Sequence, residues 1–253
     1  MANENVALIV GSGAVKNAWN PVIRALQTYY PNDFQLDKNG ANSFLANLVF
    51  LRRYFELKKS DKAEELYKNV KRKLSDNIVE SERNGEIKAQ PALRQIINRF
   101  IVEPKNNLLP ITTNWDSTIM NAINSYEYPN AFKFSERLPG IYLHGKATEP
   151  DSLYLPSEIG DESYRSEQHR SEYRIGHAHT VKLLSDCDRA ILYGISLDPL
   201  DAELANMLAL GLGESKKLKE IIIVNPDFNG VCQRIRAHFI GVPLPNIVPL
   251  GHA

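Results

Sequence analysis

Five places in the sequence set residues able to bind a ligand or move a proton directly after a short apolar run. The first is Gly11-Ser12-Gly13-Ala14, reached from the run Val6–Val10. Glycines at 11 and 13 would let backbone approach a phosphate closely, and amide groups near a helix start supply the partial positive charge that holds one. The third glycine of the dinucleotide fingerprint is replaced by Lys16, and its acidic residue could only be Asp33 or Asp37. A plain tight turn between strand and helix explains this segment equally well. The second place is Thr112-Thr113-Asn114-Trp115-Asp116. Asn can orient a water or a ribose hydroxyl, and Asp can accept from an amide. Taken alone, this segment reads more simply as the cap of a helix over 117–124.

The third place is His144-Gly145, at the end of the run from Gly140. An imidazole titrates near pH ~6.5 and can serve as a general base at neutral pH, although a single histidine is more often a structural group. The fourth and fifth are Gly194-Ile195-Ser196 and Asn225, each where an apolar run gives way to polar residues. Separately each is an ordinary turn. Together, five successive run ends carrying Gly-Ser-Gly, Asn/Asp, His-Gly, Gly-x-Ser and Asn exceed what turn formation requires.

These residues need elements to hold them. The runs Val6–Val10, Leu108–Thr112, Gly140–His144, Ala190–Gly194 and Ile221–Asn225 have the length and the Val/Ile content of buried strands, and four are followed by helical patterns. Such strands, without internal polar alternation, predict a parallel sheet covered on both faces, with ligands beyond the carboxyl ends of the strands. Between the first two strands lies a stretch over 27–105, far longer than the usual crossover of a dozen or so residues. Its apolar positions recur at helical spacing (Phe44-Leu45, Leu48-Val49, Phe55; Tyr67, Val70, Leu74, Ile78), which predicts an inserted helical subdomain. The basic run from Lys68 to Lys73 is interleaved with Glu64, Glu65, Asp76 and Glu80 and is read as a solvated helix face rather than a nucleic-acid contact. The polar segment 149–174 is either a lid or a connection. The prolines of the tail allow at most an edge strand there.

Composition narrows the function classes. The 253 residues fit one domain with a lobe, and 43% hydrophobic with 24% charged residues suits a globular chain with a sizeable core. Thirty basic residues against thirty acidic ones argue against a dedicated nucleic-acid or anionic-membrane binder. Two cysteines, Cys187 and Cys232, are too few for a disulfide framework or a four-cysteine zinc site. His177 and His179 lack partners at zinc-site spacing, and no metal ligand is assigned. No stretch approaches the ~18 apolar residues of a membrane span, and the N-terminus lacks the pattern of a signal peptide, so a cytoplasmic protein without membrane contact is expected.

The ordered set of strand ends resembles the Sir2 family, and more closely its bacterial branch without the zinc module. The resemblance covers most of the chain in scattered motifs, with the helical lobe outside it. It implies a Rossmann-like doubly wound α/β sheet spanning 1–253, interrupted by the lobe at 27–105. It also implies that Gly11, Ser12, Gly13 and Ala14 hold the pyrophosphate of NAD, and that Thr112, Gly194, Ser196 and Asn225 belong to the NAD site, Asn225 at the adenosine ribose. By the same resemblance Asn114 positions a water and the nicotinamide ribose, Asp116 holds the carboxamide, and His144 is the catalytic histidine. Val15 stands where the family has serine or threonine, and the four zinc cysteines of the deacylases are absent.

The expectation is an NAD hydrolase that takes NAD as substrate and releases nicotinamide and ADP-ribose without zinc, an activity that in such proteins often serves antiphage defence. Loss of a neutral pyridine needs no strong general acid; the site has to hold the ring, support an oxocarbenium-like centre and deliver water. The alternatives are a noncatalytic NAD or ADP-ribose binding module, a protein deacylase, disfavoured by the missing zinc module, and an ordinary dehydrogenase, disfavoured by the missing fingerprint residues. A homo-oligomer, with control by assembly or by a partner protein, is expected because so short a chain leaves little room for a sensor.

Overall fold

A computed structural model describes residues 3–31, 33–56, 58, 61–126, 140–239 and 245–250. In chain order the elements are β1 (Asn5–Val10), β2 (Val15–Lys16), α1 (Asn20–Gln27), α2 (Lys38–Glu56), α3 (Asp61–Arg83), β3 (Lys88–Ala89), α4 (Ala92–Ile97), β4 (Asn107–Thr112), α5 (Thr118–Ser125), β5 (Ile141–Tyr142), α6 (Glu167–Ser185), β6 (Arg189–Tyr193), α7 (Ala202–Glu214), β7 (Glu220–Val224), α8 (Phe228–His238) and β8 (Asn246–Pro249). Six strands form a parallel sheet in the order β5-β4-β1-β6-β7-β8. Counting its strands along the chain, that is 3-2-1-4-5-6, the doubly wound order, and the winding reverses between β1 and β6.

Alternation along β1 explains why both faces are covered. Val6, Leu8 and Val10 enter one apolar cluster with Leu26, Leu45, Leu74 and Ile123 of α1, α2, α3 and α5. Ala7 and Ile9 enter another with Leu184, Leu208 and Ile235 of α6, α7 and α8. Successive side chains of a strand point to opposite faces, so an unbroken apolar run is what a strand buried on both sides requires. The long insertion is helical over α2 and α3, and those helices share their core with the sheet. Its end is stitched back where Val15–Lys16 of β2 pairs antiparallel with Lys88–Ala89 of β3. Val15 is buried in that pairing.

Two elements differ from their sequence-based reading, and the tail agrees with it. Strand β5 pairs only over Ile141–Tyr142, because Gly145 turns the chain through a left-handed conformation (φ 79°) just beyond His144. Helix α6 starts at Glu167, capped by Ser166, whose hydroxyl accepts from the His169 N–H at 3.2 Å; its largely polar first turns hide it from an apolar periodicity. The tail does supply an edge strand, β8, parallel to β7, with Pro249 as its last residue.

The 149–166 connection is fastened to the insertion by buried polar groups. Glu158 accepts from the Tyr67 hydroxyl at 2.5 Å and from Arg165 Nε at 2.7 Å, and Lys71 donates to the Tyr67 hydroxyl at 2.9 Å. Ser75 donates to the Ala147 carbonyl, and Arg53 pairs with Glu162. Packing alone would let a polar connection slide over a helical surface, whereas buried charge pairs with directed hydrogen bonds hold one register.

Candidate active site

At the reversal between β1 and β6, the two strand-end turns lock into each other. Gly11 donates to the Tyr193 carbonyl at 2.9 Å, Gly13 to the Gly194 carbonyl at 3.0 Å, and Ala14 to the Gly11 carbonyl at 3.0 Å. Gly194 has φ 65°, and a Cβ on it would stand 2.2 Å from the Ala14 nitrogen. These glycines therefore serve first to let two backbone turns touch. Three of the four amides in the Gly11–Ala14 turn are engaged by carbonyls, and the turn faces the cleft through Gly11 and Ser12. The Ser12 hydroxyl accepts from Trp19 Nε1 at 3.1 Å.

A cleft lies beyond the carboxyl ends of the strands at this crossing and encloses about 1050 Å³, counting its open mouth. It is lined at the strand ends by Gly11, Ser12, Gly194 and Ser196 and by the polar groups Asn114, Asp116 and His144, and from α2 by Lys38 and Asn42, with Trp19 beside Ser12. Lys38 Nζ stands 5.3 Å from the centre of a Trp19 ring. Of the residues singled out in the sequence, Gly13, Ala14, Thr112 and Asn225 do not line it. Thr112 is fully buried and its hydroxyl accepts from the Asn114 N–H at 3.0 Å, so it shapes the turn that carries Asn114. Asn225 donates to the Ile195 carbonyl at 2.8 Å and accepts from the Asp227 N–H at 2.8 Å, holding the Ser196 turn in place.

Asn114 and Asp116 are both nearly fully buried, at 6% and 7% exposure. Asp116 accepts from the Thr118 N–H at 3.0 Å, capping α5 while lining the cleft, and burial raises its carboxyl above the ordinary aspartate range. Trp115 packs toward the core and donates to the Tyr154 carbonyl at 3.0 Å. The Asn114 side-chain amide is different: its Nδ2 is buried and has no hydrogen-bond partner among the described residues. A buried donor left unpaired costs about 1–3 kcal/mol, and such a group in a cleft points to a ligand that completes it.

His144 sits where the ends of β4 and β5 meet the start of α7. Its Nδ1 lies 3.2 Å from the Thr113 carbonyl and its Nε2 3.3 Å from Asp201 Oδ1. Burial works against a charge on the ring, but the Asp201 carboxylate, the Thr113 carbonyl and Glu203 outweigh it, and the His144 pKa is raised above the ordinary histidine value. On α6 nearby, His177 is pushed down to about 4 by burial and by His144. Asp201, Lys38 and Trp19 were missed in the sequence. An acidic pair three residues apart, Asp198 and Asp201, directly after Gly194-x-Ser196 is the signal that could have found the first; Lys38 and Trp19 carry none. Among the described residues no group of three or more His, Cys, Asp or Glu side chains could hold a metal ion, and no helix is long and apolar enough to cross a membrane.

No family model matches the sequence, and no curated protein matches it. A solved structure described as "Structural Basis for the Mechanism and Regulation of Sir2 Enzymes" is 17% identical, covering 89% of this chain and 81% of that one, with a TM-score of 0.37. At that TM-score the likeness bears no weight for the chemistry, and the α/β fold rests on the strand order itself.

Proposed function

We propose that the cleft binds NAD and hydrolyses its nicotinamide–ribose bond, so that NAD and water become nicotinamide, ADP-ribose and a proton. The observation that carries this reading is the unpartnered Asn114 Nδ2, buried in the same cleft as Asp116 and the His144–Asp201 pair. Asn114 has a free donor for a ribose hydroxyl or for the attacking water. Asp116, with one oxygen on the Thr118 amide, has its other oxygen for the carboxamide of the leaving ring. When the C–N bond breaks, its electrons leave with the neutral pyridine, and the anomeric carbon becomes cationic. Water then adds there and loses a proton, for which His144 is the base. Fixed orientation and electrostatic support of the cationic centre, rather than strong acid catalysis, are what the site supplies.

The test is NAD consumption read by chromatography, with wild type, Asn114→Ala and His144→Ala compared at several protein concentrations. Nicotinamide and ADP-ribose are expected from wild type, with the single variants slower by roughly 10²-fold or more. Intact NAD after incubation with protein that demonstrably binds it would make the chain a binding module instead. The three engaged amides of the Gly11–Ala14 turn are the feature that favours that second reading.

A further inference from the structure

The contact between His144 and Asp201 has a chemical consequence for the site, resting on the hydrolase reading above. The Thr113 carbonyl, 3.2 Å from Nδ1, can only accept a hydrogen bond, so Nδ1 carries a proton. In a neutral ring Nε2 would then be a lone pair, and it faces a carboxylate oxygen at 3.3 Å. Two acceptors do not rest against each other in a half-buried site unless a proton lies between them.

We infer that Asp201 is the positioning residue for His144, sharing one proton with its Nε2 across the cleft in the resting protein and stabilising the imidazolium when Nε2 takes a proton during turnover. The resident proton first passes to solvent through the open side of the cleft. Nε2 then accepts the proton of the attacking water or of a ribose hydroxyl, and the Asp201 carboxylate balances the charge that forms.

The carboxylate is placed by the fold rather than by reach. It closes a short 3-10 turn, Pro199–Asp201, in which Asp198 Oδ1 accepts from the Leu200 N–H at 2.9 Å, and Ser157 donates to the Leu200 carbonyl at 2.9 Å. The chain enters that turn through Leu197, a buried apolar residue at φ 51°. A left-handed bulky residue is strained and persists only where the surrounding packing imposes the turn. Other groups facing the ring are consistent with a resident proton. Glu203, at the start of α7, favours it while accepting from the Tyr173 hydroxyl at 3.0 Å and the Gly160 N–H at 3.1 Å. His177, on α6, stays neutral near physiological pH and opposes it little.

The test has two independent readouts. In the protein without NAD, the His144 ring is followed by NMR across pH, assigned with His144→Gln, for wild type and for Asp201→Asn. The expected results are that both ring nitrogens of wild type are protonated at about pH 6, and that His144 titrates at lower pH in Asp201→Asn. In the NAD assay the acid limb of kcat/KM moves to lower pH in Asp201→Asn and the plateau falls by roughly 10²-fold, while Asp201→Glu, which keeps the carboxylate, restores the wild-type limb. A His144 titration unchanged in folded Asp201→Asn overturns the shared proton whatever the NAD assay shows. A neutral Nδ1–H tautomer in wild type at that pH overturns it without any variant. A shifted titration with an unmoved acid limb overturns the role in turnover. A shifted titration in a protein that leaves NAD intact supports the pair and removes the hydrolase reading instead.

Discussion

Asn114 is built at odds with the stability of the empty protein. Its amide nitrogen is buried and unpaired, so Asn114→Leu, close in size and without the orphan donor, is expected to raise the stability of the ligand-free protein by about 1–2 kcal/mol while removing NAD turnover. Urea denaturation beside the NAD assay checks both halves, and a variant that is both less stable and fully active would show that the amide has no ligand. At neutral pH Asp116 works in the same sense, because its ionised carboxyl is desolvated by burial. Burial raises its carboxyl, so the folded state holds its proton to higher pH than the unfolded chain. Folding is favoured by this group below the unfolded value and loses that contribution as pH rises through the folded one. Both residues were legible in the sequence as a pair of polar side chains at a strand end. The sequence could not say that Asp116 is both cap and cleft wall, since capping the helix and facing a ligand call for the same residue type.

At the scale of elements, the site depends on turns that touch. Gly194 lies at φ 65° and has no room for a Cβ against the Ala14 nitrogen, so Gly194→Ala is expected to destabilise by at least ~2 kcal/mol and to misplace the Gly11–Ala14 turn. Thermal unfolding and NAD affinity should fall together; a variant of wild-type stability would contradict the turn-to-turn lock. The glycines were visible in the sequence, but their spacing fits a phosphate cradle as well as a backbone crossing, and only the position of β6 beside β1 decides which groups the turn meets. The 149–166 connection poses a second test. The Glu158 side chain is fully buried and pairs with Arg165 at 2.7 Å. Lys71 and Arg165 hold its carboxyl below the ordinary glutamate range despite burial. Glu158→Ala leaves those cations without their partner and is expected to cost about 3–5 kcal/mol, read by chemical denaturation.

For the molecule as a whole, the same buried cluster makes stability depend on pH. Burial pushes the Lys71 ammonium down to about 7, against the pull of Glu158, from an ordinary value of 10.5. Between those values the unfolded chain holds the proton and the folded protein does not, so stability rises with pH across that window and the penalty is fully present below about 7. Lys71→Met should flatten this part of the profile of denaturation midpoint against pH; an unchanged slope would show that the amine is not buried as described. The doubly wound sheet itself was legible from five apolar runs, because a strand covered on both faces must be apolar throughout and therefore stands out against the amphipathic helices around it. The insertion was legible by its length and its helical spacing. By itself the sequence determined which strands exist and which polar residues sit at their ends, for those are local matters of pattern and turn chemistry. Only the tertiary structure decided that Asp201 meets His144, that Lys38 of a distant segment lines the cleft, and that Asn225 supports the Ser196 turn from behind. Contacts between residues tens of positions apart are set by how helices and turns pack on the sheet, and one sequence carries no periodicity that records them.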